Sequence, residues 1–451
     1  MQGTMQRETI GCRGYRLSAV SSLIWTMLIV ACLTVYSGSN ATADTVYPPN
    51  TTYDGPKNVP PLPRPGYLQP VIDPVFGAKI TRISDESMGL SSADYLQHHY
   101  SKDQPWNHDM TLIKLSNTRV LLDAKTYQIF KRPSGKGETR WSTVDPNILF
   151  YTRGNQFRKW NVRSDEDTLL HTFAEGNISI GSNEGNISIG DKYVVLNVGT
   201  LAIVYDIVSD VVISKKDLGP ADWVTMSQSE NYIVSRPDPQ TLGVLVYDRN
   251  LNLLRKIFDE GQHGDVGYDI AGNEVYAQVC SMQMARLDNG QVTSLGPSSC
   301  GYLSTRGYRR PGWALKSGKG EAYAIKLDGS GIVQRFAHER SSRANYDSEP
   351  KGVISPDGSK VMWNSDWGSG TVYAYVAEMP GNSGDTVPPA APTDLRVTGI
   401  SQTGVNLSRD ASTDIIGLTK SLPSHGAAQI ATVSDRSLLN LGYPIAPPAQ
   451  F

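Results

Sequence analysis

The sequence predicts an all-β protein, a β-propeller of about seven blades followed by an incomplete β-sandwich segment. Three observations predict it. One turn-and-strand template recurs along most of the chain, the composition suits short strands joined by tight turns, and a Gly/Ser/Pro hinge sets off a C-terminal stretch that lacks the template.

The template shows best when its copies are laid side by side. Its first half is a turn of Asp, Asn, Ser or Gly leading into a β-rich run. Copies begin at Asn107, Thr143, Ser188, Ser227, Asp269 and Ser355, with a degenerate one around Arg309. The second half ends in an acidic turn, as at Asp206, Asp248, Asp288 and Asp328. Starts fall every 36 to 46 residues, the spacing of a four-stranded blade. One such sheet cannot cover both of its faces, but radial stacking lets each blade bury its neighbours. A β-sandwich is the competing fold, and it gives no reason for one template to recur at this period. Seven units fit between about 90 and 380.

Composition agrees. Glycine (42) and proline (27) supply turns, and tyrosine outnumbers phenylalanine 22 to 8, a mix that suits strands better than helices. The net charge of -2 offers no basic surplus to neutralise phosphates, so nucleic acid is excluded as a partner.

Taken in chain order, residues 1–43 read as an export signal. Arg7, Arg13 and Arg16 precede an apolar run from Leu23 to Val35, and Ala41-Thr42-Ala43 offers a small-residue cleavage site. The run is shorter than the roughly 20 residues of a membrane span, so no span is expected in the mature chain. Lipidation at Cys32 is the alternative. Either route implies a secreted or periplasmic protein. Residues 44–78 form a proline-rich, extended arm, and 79–380 the propeller. Cys280 and Cys300 are then the two cysteines left in the mature chain. In an oxidising compartment they are expected to pair and close a loop of about 20 residues, worth roughly 3 kcal/mol; two buried free thiols are the alternative. The stretch 175–183 is repeated almost verbatim at 184–192, which reads as an insertion bulging from a loop before the third blade. A linker follows at 381–392. Thr393 to Asp414 resembles the first two strands of a fibronectin type III domain, although Arg409 stands where that family has tryptophan, and 393–451 is too short for a whole module.

Lys79-Ile-Thr-Arg-Ile-Ser84, His99-Tyr-Ser-Lys102 with Pro105-Trp-Asn107, Arg310-Pro-Gly-Trp-Ala-Leu315, and Ser355-Pro-Asp-Gly358 through Ser365-Asp-Trp367 together resemble secreted bacterial propellers of the oligogalacturonate lyase and TolB-like groups. That resemblance covers roughly residues 75 to 380. It implies a manganese ion held by histidines and a glutamine near the axis. Where one of those ligand clusters is wanted, this chain has Glu349 and Lys351, and an ammonium cannot ligate a metal. No cofactor is therefore expected, a divalent cation being the open alternative.

In a propeller the loops entering the innermost strands face one mouth of the central channel. Repeat alignment places Glu184, Asn186, Trp223, His263, Asp265, Tyr302, Glu349 and Lys351 there, with His99, Tyr100 and Trp106 entering the first blade. Aromatic platforms mixed with acids and cations suit a ligand-binding funnel. The expected function is binding of a glycan or protein at this mouth, the partner being an acidic polysaccharide or a cell-envelope protein. The alternative is a polysaccharide lyase working by β-elimination. It would use Arg310, Arg309 or Lys351 on the uronate carboxylate, His99 or His263 as base, and Tyr302 or Tyr100 as acid. No hydrolase elbow, HExxH or P-loop is present in the sequence.

Overall fold

The computed structural model describes residues 45–90, 96–368 and 370–380, and beyond them the backbone of five short strands. Residues 45–381 form one compact unit, a seven-bladed β-propeller. Blade 1 spans residues 106–131, with Trp106 bridged to Ile113 as its innermost element. Blades 2 to 6 are the antiparallel sheets of residues 139–172, 179–217, 221–258, 264–294 and 302–338. Blade 7 takes Val353–Ile354, Lys360–Ser365 and Tyr373–Glu378 from the end of the domain and Lys79–Arg82 from its beginning.

The template has a local physical cause. Its turn joins the innermost strand of each blade to the second, and in blades 1, 3, 4 and 7 a polar side chain there accepts the N–H five residues on. Asn107 holds Leu112 at 2.8 Å, Ser188 holds Tyr193 at 3.0 Å, Ser227 holds Tyr232 at 3.1 Å and Ser355 holds Lys360 at 3.0 Å. The acidic turns of the second half are Asx turns: Asp206 accepts from the amides of Val208 and Ser209, and Asp248 from those of Asn250 and Asn252. Between the turns, β-branched and aromatic residues alternate into the spaces between blades. Trp223, Val234, Val266 and Tyr276 fill the space between blades 4 and 5, all essentially without exposure.

The N-terminal arm is threaded through the same sheets. Asn50–Thr52 adds a fifth strand to blade 6, and Val71–Ile72 a fifth to blade 7. Between them the arm is pinned by the Trp367 indole donating to the Leu62 carbonyl (2.9 Å) and by Arg340 donating to that of Pro60 (2.7 Å). Cys280, in the turn between the second and third strands of blade 5, is disulfide-bonded to Cys300 in the loop that leads into blade 6.

The nine-residue duplication does not precede blade 3; it lies in that blade's innermost strand, from which residues 182–186 loop out. Ser179 and Ile180 of the first copy pair with Asn197 and Leu196, and Ile187 of the second copy bridges to Val194. Three of the C-terminal strands make a small sheet, in which Arg396–Ser401 pairs with Gly404–Ser408 and the latter with Leu439–Leu441, and Ser424–His425 pairs separately with Ala428–Gln429. The expected export signal, residues 1–43, lies outside the described residues. Among the described residues no helix is long and apolar enough to cross a membrane.

Candidate functional site

Residues 98–104 run across the propeller axis before the chain enters blade 1, and they plug the central channel. Polar side chains lace this segment to several blades. Asn364 of blade 7 accepts from the His98 amide (2.8 Å) and donates to its carbonyl (2.9 Å). Asn186 of blade 3 donates to the Lys102 carbonyl (3.0 Å), and Gln104 reaches the carbonyls of Arg306 and Ile354, each at 2.9 Å. The plug is charged yet buried: Lys102 is 2 % and Asp103 3 % exposed. Lys102 is ion-paired with Glu184 and lies 4.4 Å from the centre of the Trp223 ring. Asp103 binds Lys114 at 2.6 Å and His99 at 3.0 Å. Burial pushes the Asp103 carboxyl up, but Lys114, Arg140 and the His99 hydrogen bond outweigh it and hold the group well below the usual range.

Above the plug opens a cavity of about 700 Å³. His98, His99 and Tyr100 form part of its floor and Glu184 part of its wall, with Arg119 of blade 1 and Lys136 and Glu138 from the entry to blade 2. Its lip is the loop 341–351, whose Tyr346 ring is 61 % exposed and covers the Lys351 ammonium at 3.6 Å. Beside this floor the Tyr100 hydroxyl stands 3.2 Å from His263 Nδ1, and the Tyr302 ring centre is 5.7 Å from that of Tyr100 and 5.8 Å from that of His263. The Tyr302 hydroxyl in turn donates to Glu349. Burial, helped by Lys102 and Arg236, pulls the His263 imidazole down to about 4, so it is neutral at pH 7. Burial also raises both phenols far above their ordinary value, with Glu184 adding to the effect on Tyr100 and Glu349 to that on Tyr302. This cluster is an uncharged set of hydrogen-bonding groups beside an acid.

The structure thus brings His99, Tyr100, Glu184, His263, Tyr302, Glu349 and Lys351 to one mouth. Asn186 does not reach it; it is buried, holds the Lys102 carbonyl and lines a separate small cavity beside the plug. Four other sequence-predicted residues have other work. Trp106 is 1 % exposed and packs in the core between blades 7 and 1, because it is itself part of the innermost strand. Trp223 is fully buried and serves as the platform beneath Lys102. Asp265 is closed off by a bidentate pair with Arg306, both bonds 2.9 Å. Arg310 lies with the arm instead, 3.7 Å from the Tyr47 ring centre and hydrogen-bonded to Gln334 at 2.9 Å. Lys102, Glu138, Arg140 and Tyr346 were not singled out in the sequence. Lys102 precedes the first repeat copy, so no alignment points at it, and Tyr346 sits in a loop with no template.

Fold and site define a β-propeller with a polar, aromatic-rimmed cavity over a plugged channel. No protein-family model matches the chain, and no curated protein matches it. Among solved structures it is similar to an oligogalacturonate lyase in complex with manganese, with 14 % identity and a TM-score of 0.50 over 70 % of this chain and 97 % of that one. An oligogalacturonate lyase from Vibrio parahaemolyticus is 13 % identical, with a TM-score of 0.49 over 76 % of this chain and all of the other. At these identities the likeness is one of fold.

For a manganese ion, the ligand candidates at the resemblance's cluster and beside it are already engaged. Glu349 is engaged by Tyr302, His263 Nδ1 by Tyr100, and Lys351 offers an ammonium without a lone pair. Among the described residues no three His, Cys, Asp or Glu side chains gather as a metal-holding group.

Proposed function

We propose that this propeller is a non-catalytic binding protein that takes an oligosaccharide at the mouth of its central channel. The observation that carries the reading is the exposed Tyr346 ring on the lip of the 700 Å³ cavity. An aromatic face at a polar-lined cleft of this size is what a sugar ring needs, an apolar surface to stack on with donors and acceptors around it. The alternative is a β-eliminating lyase. The Tyr100–His263–Tyr302 cluster supplies a neutral base and two protonated phenols for such chemistry. Of its three candidate carboxylate-neutralising groups, Arg310 is held by Tyr47 and Gln334 and Arg309 donates to the His108 carbonyl, while Lys351 lies under the Tyr346 ring at the cavity lip.

Calorimetric titration with a panel of neutral and acidic oligosaccharides tests the binding reading. Tyr346→Ala should weaken binding at least about tenfold, the loss of roughly 1.4 kcal/mol, while Tyr346→Phe keeps it. Equal affinity of the alanine variant and the parent would refute the reading. Formation of an unsaturated, ultraviolet-absorbing product from any of these sugars would replace it with the lyase.

A further inference from the structure

We infer that the nine-residue duplication is a specificity element. Its looped-out portion lodges Glu184 on Lys102 and so turns the mouth against carboxylate-bearing glycans. This deepens the binding reading of the same cavity and rests on it for the ligand class.

The register shows how the duplication does this. Gly181 donates to the Val195 carbonyl, so continuing the first copy would set residue 182 against Val194, where Ile187 stands instead. Residues 182–186 therefore loop out of an otherwise continuous innermost strand. The loop is built rather than frayed. Gly185 donates back to the Ile180 carbonyl (3.1 Å), and Arg140 grips the carbonyls of Asn183 (3.0 Å) and Gly185 (2.7 Å). Gly181, Ser182 and Asn183 are all left-handed, at φ 55°, 58° and 72°. The two copies begin with the same residue type and treat it oppositely. Glu175 pairs with Lys215 on the outer strand of blade 3, whereas Glu184 is carried to the axis.

Around the cavity Glu184 completes a pattern. Lys102 is answered by Glu184, Lys136 by Asp167 (2.6 Å), Arg140 by Glu138 (2.6 Å), and the Lys351 ammonium lies under Tyr346. A ligand carboxylate entering the cavity meets Glu184 before it meets Lys102, and like charges repel at close range. Without Glu184, Lys102 would face the cavity with the Tyr100 and Trp223 rings beside it, a site for an anion.

The test is titration with a galacturonan oligomer and with a neutral galactan oligomer. The parent is compared with Glu184→Gln, with Glu175→Gln as the matched first-copy control, and with a variant lacking residues 182–186, which restores a continuous strand register if Glu184→Gln proves too unstable. Glu184→Gln or the excised variant should bind the galacturonan at least about tenfold more tightly than the parent does, in a salt-sensitive way. Glu175→Gln should not, and adding Lys102→Met should abolish the gain. Galacturonan affinity that is the same in the parent and in these variants overturns the inference. Failure of the parent to bind the galactan counts against the binding reading alone, because the gain in the variants is read on the anionic polymer.

Discussion

At the residue scale, the mouth is governed by charges and imidazoles that burial forces into unusual states. His263 shows this most directly. Its unfolded imidazole takes a proton near 6.5 and the folded one only near 4. Between these values the unfolded chain binds more protons, so acid pulls the equilibrium toward unfolding, and the stability present above 6.5 is lost as pH falls through 4. Fully buried His98, pulled down to about 3 by desolvation, acts in the same direction. Urea denaturation between pH 7.5 and 4 should show a loss on the order of 2 kcal/mol traceable to His263, and His263→Gln should flatten the profile. An unchanged slope in that variant would mean the ring is charged or exposed in the folded protein. Much of this site was legible in the sequence, because the loop entering an innermost strand must face the channel in any propeller; that rule found Glu184, His263, Tyr302, Glu349 and Lys351. It misplaced Trp106, Trp223 and Asp265, since position along a template says nothing about which face of a strand a side chain takes. It also missed Lys102, whose importance comes from the chain crossing the axis, a tertiary event without a local signature.

At the element scale, the innermost strand of blade 3 offers a comparison inside one chain. Gly181 and Gly190 occupy equivalent positions in the two copies, and identical sequence has been given different surroundings. A Cβ on Gly181 would lie 1.8 Å from the Val224 carbonyl oxygen and 2.5 Å from the Gly185 Cα, both backbone atoms that cannot swing aside. A Cβ on Gly190 would find nothing nearer than the Glu230 carboxylate at 3.6 Å. Both glycines have positive φ, so alanine at either incurs the left-handed penalty of about 1–2 kcal/mol. Gly181→Ala should add overpacking to that, for a total of about 2–5 kcal/mol. Thermal unfolding of the two variants should separate them clearly, and equal losses would contradict the close packing of the loop against blade 4. The sequence displayed the duplication plainly but could not place it. In the sequence the duplication reads as an insertion bulging from a loop before the blade, and only the pairing of Ile187 with Val194 shows that both copies contribute to the strand.

At the scale of the whole molecule, a propeller must close its ring, and here closure depends on residues from both ends of the domain. The fourth strand of blade 7 is Lys79–Arg82, paired with Tyr373–Glu378. Ala78 and Ile80 sit without exposure in one cluster with Trp363 and Tyr375. Upstream, the buried Asp73 carboxylate accepts from the His338 amide (2.9 Å) and contacts its ring (3.1 Å); burial pushes the acid up, but these bonds hold it down at about 2. The repeat count made seven blades legible, whereas the closing strand was not, because Lys79–Arg82 lacks the turn that marks the other copies. A graded truncation tests this closure. A chain beginning at residue 67 loses the strand Asn50–Thr52 and the Leu62 and Pro60 anchors but keeps the closing strand. It should fold with a Tm lowered by several degrees, at about 2–4 °C per kcal/mol. A chain beginning at residue 83 leaves Tyr373–Glu378 as a bare edge and uncovers the Trp363–Tyr375 cluster. It should lose its near-ultraviolet circular dichroism and aggregate. Asp73→Asn in the full chain should fall between the two, since it leaves the His338 ring buried against a neutral partner. A chain beginning at residue 83 that stays monomeric and melts with the parent would show that the other six blades hold the ring without its N-terminal strand.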